Sequence, residues 1–287
     1  MFLITGATGN VGSQIVDQLL AVGKSVRVFT RDPAKVSHWE NRIEVAPGDF
    51  ANPESLRRAS AGVEAIFLMN GGLAIGALSQ LLAAIMAEGR PRIVFLSSLL
   101  ASEPGRFQIG RAHIEEEDAI RTSGLSAHFL RPGGFMSNAY QWAGSIKAQG
   151  VVYNAMGTGK SASIAPEDVA AVAAKILTSP DGLDPILELT GAELLTVPDQ
   201  VEILSHALSK TIQCIDVPVE AAIEGMIGNG MPARFASAVA ESLKAIRDGQ
   251  GEQRTDTVER IIGRSPTTFE VWAGKHRSQF RNSHSSE

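Results

Sequence analysis

The chain has 287 residues, of which 44% are hydrophobic and 20% charged, and it carries a formal net charge of −5. At roughly 150 residues per domain this allows two domains, or one domain with a sizeable appendage, and the composition excludes a disordered chain or a disulfide-stapled mini-protein. The lysines and arginines are scattered, so neither nucleic acid nor an anionic membrane surface is an expected partner. Cys214 is the one cysteine, which rules out an internal disulfide and suits a reducing compartment. The opening residues Met1-Phe2-Leu3-Ile4-Thr5-Gly6 lack the basic segment of a secretory signal, and the expected location is the cytoplasm. The longest apolar run, Leu73 to Ala87, is broken by Ser79 and Gln80 and falls short of the roughly 18 residues that suggest a membrane span.

In chain order, strands are predicted at Met1–Thr5, Ser25–Thr30, Ile43–Ala46, Ala65–Met69, Arg92–Ser97 and Ser126–Leu130. They are mostly apolar rather than alternating, the pattern of strands buried on both faces. Helical spacing of Ile15, Val16, Leu19 and Leu20 places a helix between the first two strands, with Gly23 at its C-terminal end. Further helices are predicted at Pro53–Ser60, Ala77–Glu88, Phe107–Thr122 and Pro166–Thr178. Strand and helix alternate as a parallel sheet with crossover helices requires. Beyond Asp181 the pattern changes to a strand at Ile186–Leu189, a helix at Val197–Leu208, a strand near Ile212–Ile215 and then mostly helix. Val219–Gly228 and Arg234–Arg247 read as two helices joined by a tight turn, a pair suited to roof a pocket. The polar tail from Arg277 to Glu287 is expected to be frayed.

Gly6-Ala7-Thr8-Gly9-Asn10-Val11-Gly12 lies between the first strand and the first helix. Glycines there permit a tight turn, close approach of backbone to a pyrophosphate and close helix–strand packing, and the helix start supplies unpaired N–H donors. The natural ligand is a dinucleotide, although the spacing is G-x-x-G-x-x-G rather than G-x-G-x-x-G. About 20 residues on, where an NAD enzyme places an acid on the ribose, the chain reads Thr30-Arg31-Asp32. The Arg31 guanidinium suits a 2′-phosphate, with Lys35 as a second contact, so NADP(H) is the expected cofactor and NAD(H) remains possible. A slip of one position would present Asp32 instead, and that alternative stays open here.

These residues belong to a wider constellation. Gly48-Asp49-Phe50 is followed by Pro53-Glu54-Ser55-Leu56, Leu125 to Asn138 includes Leu130-Arg131-Pro132-Gly133-Gly134-Phe135, and Ile164-Ala165-Pro166-Glu167-Asp168-Val169-Ala170 opens a helix. Together with the glycine turn they resemble the atypical, NmrA-like branch of the short-chain dehydrogenase/reductases, which includes NAD(P)H:quinone oxidoreductases, triphenylmethane-type reductases and cofactor-sensing regulators. The resemblance covers nearly the whole chain. It implies a Rossmann-type doubly wound parallel α/β sheet with a smaller, mainly helical C-terminal substrate region. Residues 1–150 would form the NADP-binding core, and 151–287 the remaining sheet elements and a lid, in one integrated unit. It also implies that Asp49 and Phe50 meet the adenine, that Asn70 and Gly71 line the cofactor channel, and that Pro132, Gly133, Gly134 and Phe135 face the nicotinamide. For Asp49 an Asx-turn role is equally open, and Asn70 has the alternative of a turn former.

Carbonyl reduction in this superfamily relies on a serine after the fifth strand and a Y-x-x-x-K pair. The only tyrosines here, Tyr140 and Tyr153, have no lysine four residues on. Ser97 and Ser98 end the fifth strand, and His113 with Glu117 falls at helical i, i+4 spacing, similar to an H-x-x-x-E variant of the catalytic segment. In that reading His113 donates to the substrate oxygen and Glu117 orients the ring. In the bland one the serines satisfy backbone groups, Glu117 pairs with Arg121, and His113 fills space. Tyr140 and Trp142 are candidates for an apolar wall, with Met226, Met231 and Phe235 approaching from the helical roof. His128 reads as a core histidine, and His206 and His276 have no metal-ligand companions in the sequence, so no metal is assigned. The expected activity is NADPH-dependent reduction of a quinone or ketone on an aromatic small molecule. A quinone yields a delocalised phenolate, which relaxes the need for the missing tyrosine. The alternative is a non-catalytic NADP(H) sensor that signals to a protein partner.

Overall fold

The computed structural model describes residues 1–69, 75–103 and 105–281. In chain order its elements are β1 (Phe2–Thr5), α1 (Asn10–Ala21), β2 (Val26–Thr30), β3 (Glu44–Pro47), α2 (Pro53–Ser60), β4 (Ala65–Leu68), α3 (Ile75–Glu88), β5 (Arg92–Leu96), α4 (Gln108–Thr122), β6 (Ala127–Pro132), α5 (Ala143–Gln149), β7 (Val151–Asn154), α6 (Pro166–Thr178), β8 (Ile186–Leu189), α7 (Val197–Leu208), β9 (Gln213–Asp216), α8 (Val219–Gly228), α9 (Ala233–Arg247), α10 (Thr257–Ile262) and α11 (Phe269–His276). Short 3₁₀ segments occupy Pro33–Arg42, Leu99–Ser102, Met136–Trp142 and Arg277–Phe280.

Seven strands form one sheet in the order β3-β2-β1-β4-β5-β6-β8, with every pairing parallel. The strand order reverses direction between β1 and β4, and the C-terminal ends of strands at such a switch point are where open α/β sheets take ligands. β7 and β9 pair in parallel as a separate two-stranded sheet. Along β1 and β2 successive side chains enter opposite layers. Phe2, Ile4, Val26 and Val28 join the cluster under α1 and α6, while Leu3 and Phe29 join the one under α2, α3 and α4. Both faces are thus covered, which explains the unbroken apolar strands, and each fully buried large aliphatic side chain contributes about 1.5–3 kcal/mol. A third cluster outside the sheet gathers Met136, Trp142, Ile146, Val152, Leu204, Phe269 and Trp272. Among the described residues no helix is long and apolar enough to cross a membrane.

Two elements depart from the sequence reading. Val151–Asn154 forms β7 although no strand is expected there, because its partner β9 lies some sixty residues downstream and no local pattern marks the pairing. The tail is docked as far as Arg281 rather than frayed from Arg277. Phe280 is 3% exposed, its ring 5.9 Å from that of Tyr140, and this aromatic anchor outweighs the polar composition around it.

A buried carboxylate ties the middle of the sheet to its helical cover. Glu117 on α4 is fully buried, and its Oε1 accepts from Ser97 Oγ at 2.6 Å and Arg131 Nε at 2.9 Å. Its Oε2 accepts from Arg131 Nη2 and Arg121 Nη2, each at 2.7 Å. Arg131 Nη1 continues to Ser102 Oγ at 3.3 Å, and Ser102 in turn donates to Glu188 on β8. Burial pushes the Glu117 carboxyl up, but hydrogen bonds from Arg131 and Ser97 together with the Arg131 charge outweigh it and hold the group below its ordinary range. A carboxyl whose folded value is depressed stabilises the fold fully above the ordinary glutamate value of about 4.3, and that stability is lost as pH falls through the lower folded value.

Glu117→Gln leaves the buried Arg131 without its counter-charge, and a loss of about 3–5 kcal/mol in chemical denaturation at pH 7 is expected. The difference between wild type and variant should shrink as the pH is lowered below about 4. A variant of wild-type stability at neutral pH would show that the pair does not hold α4 to β6.

Candidate active site

The turn after β1 has the shape a dinucleotide phosphate needs. Gly6 adopts φ +65°, and a Cβ there would lie 2.5 Å from Met69 Cε. A Cβ on Gly12 would sit 2.7 Å from the Gly6 carbonyl carbon and overlap its oxygen, so α1 approaches β1 as closely as only glycine allows. Gly9 is the N-cap of α1 and makes no side-chain cap, and its N–H bonds Gly6 O at 3.0 Å. The N–H groups of Asn10, Val11 and Gly12 therefore meet no acceptor within the helix. Thr8 and Asn10 are exposed beside them. An uncapped helix start facing a glycine-lined turn fits the pyrophosphate of a nicotinamide dinucleotide.

At the end of β2, Arg31 and Asp32 have different surroundings. Asp32 Oδ1 accepts from Ala34 N at 3.1 Å, capping the Pro33–Arg42 segment, and its Oδ2 lies 3.9 Å from Lys35 Nζ. Arg31 is exposed and has no hydrogen-bond or ion-pair partner among the described residues. Arg31 thus meets no partner within the protein, while Asp32 gives one oxygen to the turn. Asp49 is similarly divided: Oδ1 accepts from Ala51 N at 2.9 Å in an Asx turn, and the exposed side chain retains its second oxygen. Phe50 stacks on Phe29 with centroids 5.4 Å apart, giving an aromatic edge beside the β2 terminus. Asn70 and Gly71 lie outside the described residues.

Past β6, Gly133 N–H donates to Leu189 O, Met136 N–H to Ile164 O, and Ile164 N–H to Gly134 O, each at 2.9 Å. Pro132 to Phe135 are held by these bonds in one wall at the C-terminal edge of the sheet. The two serines after β5 have different duties. Ser97 is 5% exposed and gives its proton to Glu117. Ser98 is half-buried, accepts from Leu100 N at 3.3 Å, and has no acceptor for its own proton among the described residues. His113 is not oriented by Glu117, whose oxygens are taken by Ser97, Arg131 and Arg121. Its Nδ1 instead lies 3.0 Å from Glu116 Oε2.

The aromatic wall expected from Tyr140 and Trp142 is not an open surface. Trp142 is 8% exposed within the third cluster. Tyr140 packs on Trp272 and Phe280, and its hydroxyl meets His276 Nδ1 at 2.8 Å. His276 Nε2 faces Glu167 Oε1 at 2.8 Å, so the neutral ring donates to the carboxylate and accepts from the phenol. Both aromatic residues are drawn inward because the C-terminal helix α11 covers them. The roof expected from α8 and α9 is accessible: α8 buries no residue, Phe235 is 44% exposed, and Met226 and Met231 are half-buried. α9 is held to the start of α4 by Glu241, whose Oε2 and Oε1 accept from Gln108 N at 2.8 Å and Gln108 Nε2 at 2.6 Å. A cavity of about 790 Å³ at the β8 edge is lined by Ile186, Glu188, Arg254 and Thr257 among others and by none of the candidate residues above. Sequence reasoning did not single out Arg131 or Glu116 for this site; the Leu-Arg-Pro run was the one available signal for Arg131.

A family model described as NAD(P)H-binding matches residues 6–180. The chain belongs to this NAD(P)H-binding family. Within it, the chain is 32% identical over 281 residues to a (4-alkanoyl-5-oxo-2,5-dihydrofuran-3-yl)methyl phosphate reductase of Streptomyces griseus, covering 98% of this chain and 99% of the relative. It is 29% identical to an NAD(P)H azoreductase of Xenophilus azovorans, covering 98% and 99%. The crystal structure of an Escherichia coli NADPH-dependent quinone oxidoreductase complexed with NADPH superposes with a TM-score of 0.83 at 25% identity, over 96% of this chain and 99% of that one. The family match begins at Gly6, the first glycine of the phosphate turn.

Arg31→Ala should weaken NADPH binding by roughly 10- to 100-fold, the worth of a charge-assisted hydrogen bond, and leave NADH binding unchanged in calorimetry. Asp32→Ala should instead lower stability by about 1 kcal/mol through the lost cap, with the preference between the two cofactors retained. Equal loss of both cofactors in the arginine variant would remove Arg31 from the 2′-phosphate site.

Proposed function

We propose that this NAD(P)H-dependent reductase uses NADPH in preference to NADH and reduces a quinone or ketone carbonyl on an aromatic small molecule in the cytoplasm. The observation that carries the reading is the pairing of an unpartnered Arg31 at the adenosine end of the crevice with an uncommitted Ser98 proton at its other end. The relatives named as reductases, one of them a quinone oxidoreductase and one an azoreductase, support the same class of chemistry. When bound, the reduced nicotinamide supplies hydride at the carbonyl carbon. The α1 start and the glycine turn would hold the pyrophosphate, Arg31 with Lys35 the 2′-phosphate, Asp49 and Phe50 the adenine side, and Pro132 to Phe135 the nicotinamide side.

Negative charge then develops on the substrate oxygen, and the chain must stabilise and protonate it. Ser98 donates a hydrogen bond there, since its hydroxyl already accepts from Leu100 N and is oriented by that bond. His113, 27% exposed in its side chain, supplies the proton. The chain has no Y-x-x-x-K pair, so an electron-poor carbonyl that carries part of its own stabilisation, as a quinone does, suits this site best. The α8–α9 pair, with Met226, Met231 and Phe235, covers a planar substrate from above and excludes water, and the flexible methionines accommodate its shape.

NADPH oxidation measured against a panel of quinones and aromatic ketones should show substrate-dependent turnover. Ser98→Ala should lower kcat by roughly 10- to 100-fold with little change in melting temperature, whereas Ser97→Ala should act mainly on stability. Tight NADPH binding with no turnover on any member of the panel would favour a cofactor sensor that acts through a protein partner.

A further inference from the structure

We propose that Glu116 positions His113 for proton delivery, so that the acid of this site is a His113–Glu116 pair; the assignment rests on the reductase reading above. The two neighbouring glutamates of α4 have separate surroundings. Glu117 is saturated by Ser97, Arg131 and Arg121, and no oxygen of it is left for the imidazole. Glu116 is itself 6% exposed, and its Oε2 lies 3.0 Å from His113 Nδ1. Nδ1 is buried, and its contact with Glu116 lacks the alignment of a full hydrogen bond, the looseness common in catalytic pairs before substrate binds. With Nδ1 turned to the carboxylate, Nε2 is the nitrogen left to meet a substrate.

The ring is placed against the end of β5. Phe95 lies edge-on to it with centroids 6.4 Å apart, and Ser98 follows Phe95 by three residues. One turn before His113, Gly110 lets α4 lie on the Leu99–Ser102 segment so closely that a Cβ would stand 2.7 Å from the Leu100 carbonyl carbon. His113 and Ser98 are therefore carried by two segments in direct contact. Of the charges on elements packed around this face, Arg131 of β6 and Arg121 of α4 are engaged by Glu117, and Glu241 of α9 by Gln108.

In the reaction the Nε2–H bond breaks, its electron pair stays on the ring, and an O–H bond forms on the oxygen of the reduced carbonyl. The neutral ring keeps its Nδ1 proton directed at Glu116 and regains the other from solvent. Glu116 thus acts through His113 by orienting the ring and selecting its tautomer.

The test uses the full-length protein with Glu116→Gln, Glu116→Asp, His113→Gln and the Glu116→Gln/His113→Gln double variant. The readouts are the tautomer of the His113 ring by nitrogen NMR without cofactor, NADPH affinity by calorimetry, and kcat and KM with a quinone. Glu116→Gln is expected to move the ring from the Nδ1–H towards the Nε2–H tautomer. It should also reduce kcat by roughly tenfold, with NADPH affinity and KM within about twofold and partial rescue by Glu116→Asp. In the His113→Gln background the second change should add nothing further. An unchanged His113 tautomer, or an effect of Glu116→Gln that persists without the histidine, overturns the pair while the reductase reading stands. Wild-type protein that turns over no quinone or ketone overturns the reductase reading and the pair with it.

Discussion

Glu117 is the constraint that fixes the end of β5, β6 and α4 relative to one another. A carboxylate taken out of water needs its oxygens satisfied, and here Ser97, Arg131 and Arg121 do so from β5, β6 and α4 itself. The consequence reaches beyond the pair. Arg131 immediately precedes the Pro132–Phe135 wall, Ser97 immediately precedes Ser98, and Glu117 lies one turn from His113. One buried ionic cluster thus sets the relative positions of three groups that would surround a substrate. The two adjacent serines differ accordingly: Ser97 gives its proton to Glu117, and Ser98 has no acceptor for its own among the described residues.

The two ends of the crevice are organised by different means. At the phosphate end, backbone geometry does the work, since Gly6, Gly9 and Gly12 bring α1 against β1 and leave N–H groups pointing outward. Beside it, the turn after β2 takes Asp32 as its cap and leaves Arg31 without a partner in the protein. Past β6, the loop is bonded to its neighbours while the α8–α9 pair is largely exposed. The wall from Gly133 to Met136 is pinned to Leu189 and Ile164, whereas α8 buries no side chain and α9 is tied to α4 by an exposed bond pair from Gln108 to Glu241. A bonded wall beside an exposed apolar cover is the division of labour expected where orientation of the reacting atoms matters more than tight fit to one ligand.

The C-terminal segment contributes by enclosing rather than by lining. Tyr140 lies just beyond the nicotinamide-side wall, and the chain Tyr140–His276–Glu167 links it through α11 to the start of α6. Trp272 stacks on His276 with centroids 4.9 Å apart, and Phe280 closes the cluster. Aromatic residues that composition alone offers to a substrate are used here to fasten the last helices to the core, where they gain burial along with a partner for the tyrosine hydroxyl.

Much of this molecule was legible in its residues because the signals are local. Unbroken apolar runs separated by helical periods imply a parallel sheet covered on both faces, and a glycine turn between β1 and α1 implies a phosphate cradle whatever the rest of the chain does. At the end of β2 the sequence left Arg31 and Asp32 as alternatives, and only the structure shows Asp32 capping the following turn. Other outcomes depended on residues distant in the chain. β7 exists through its pairing with β9, Phe280 is buried by Tyr140, and Glu117 was turned from a partner of His113 into a partner of Arg131 by a guanidinium arriving from another strand. The i, i+4 spacing of His113 and Glu117 allowed contact along the helix surface. Sequence determined the fold class and the glycine turn; tertiary structure decided which partners two adjacent glutamates and two adjacent serines take, because a buried charge takes the partners that desolvation demands rather than those that helical spacing offers.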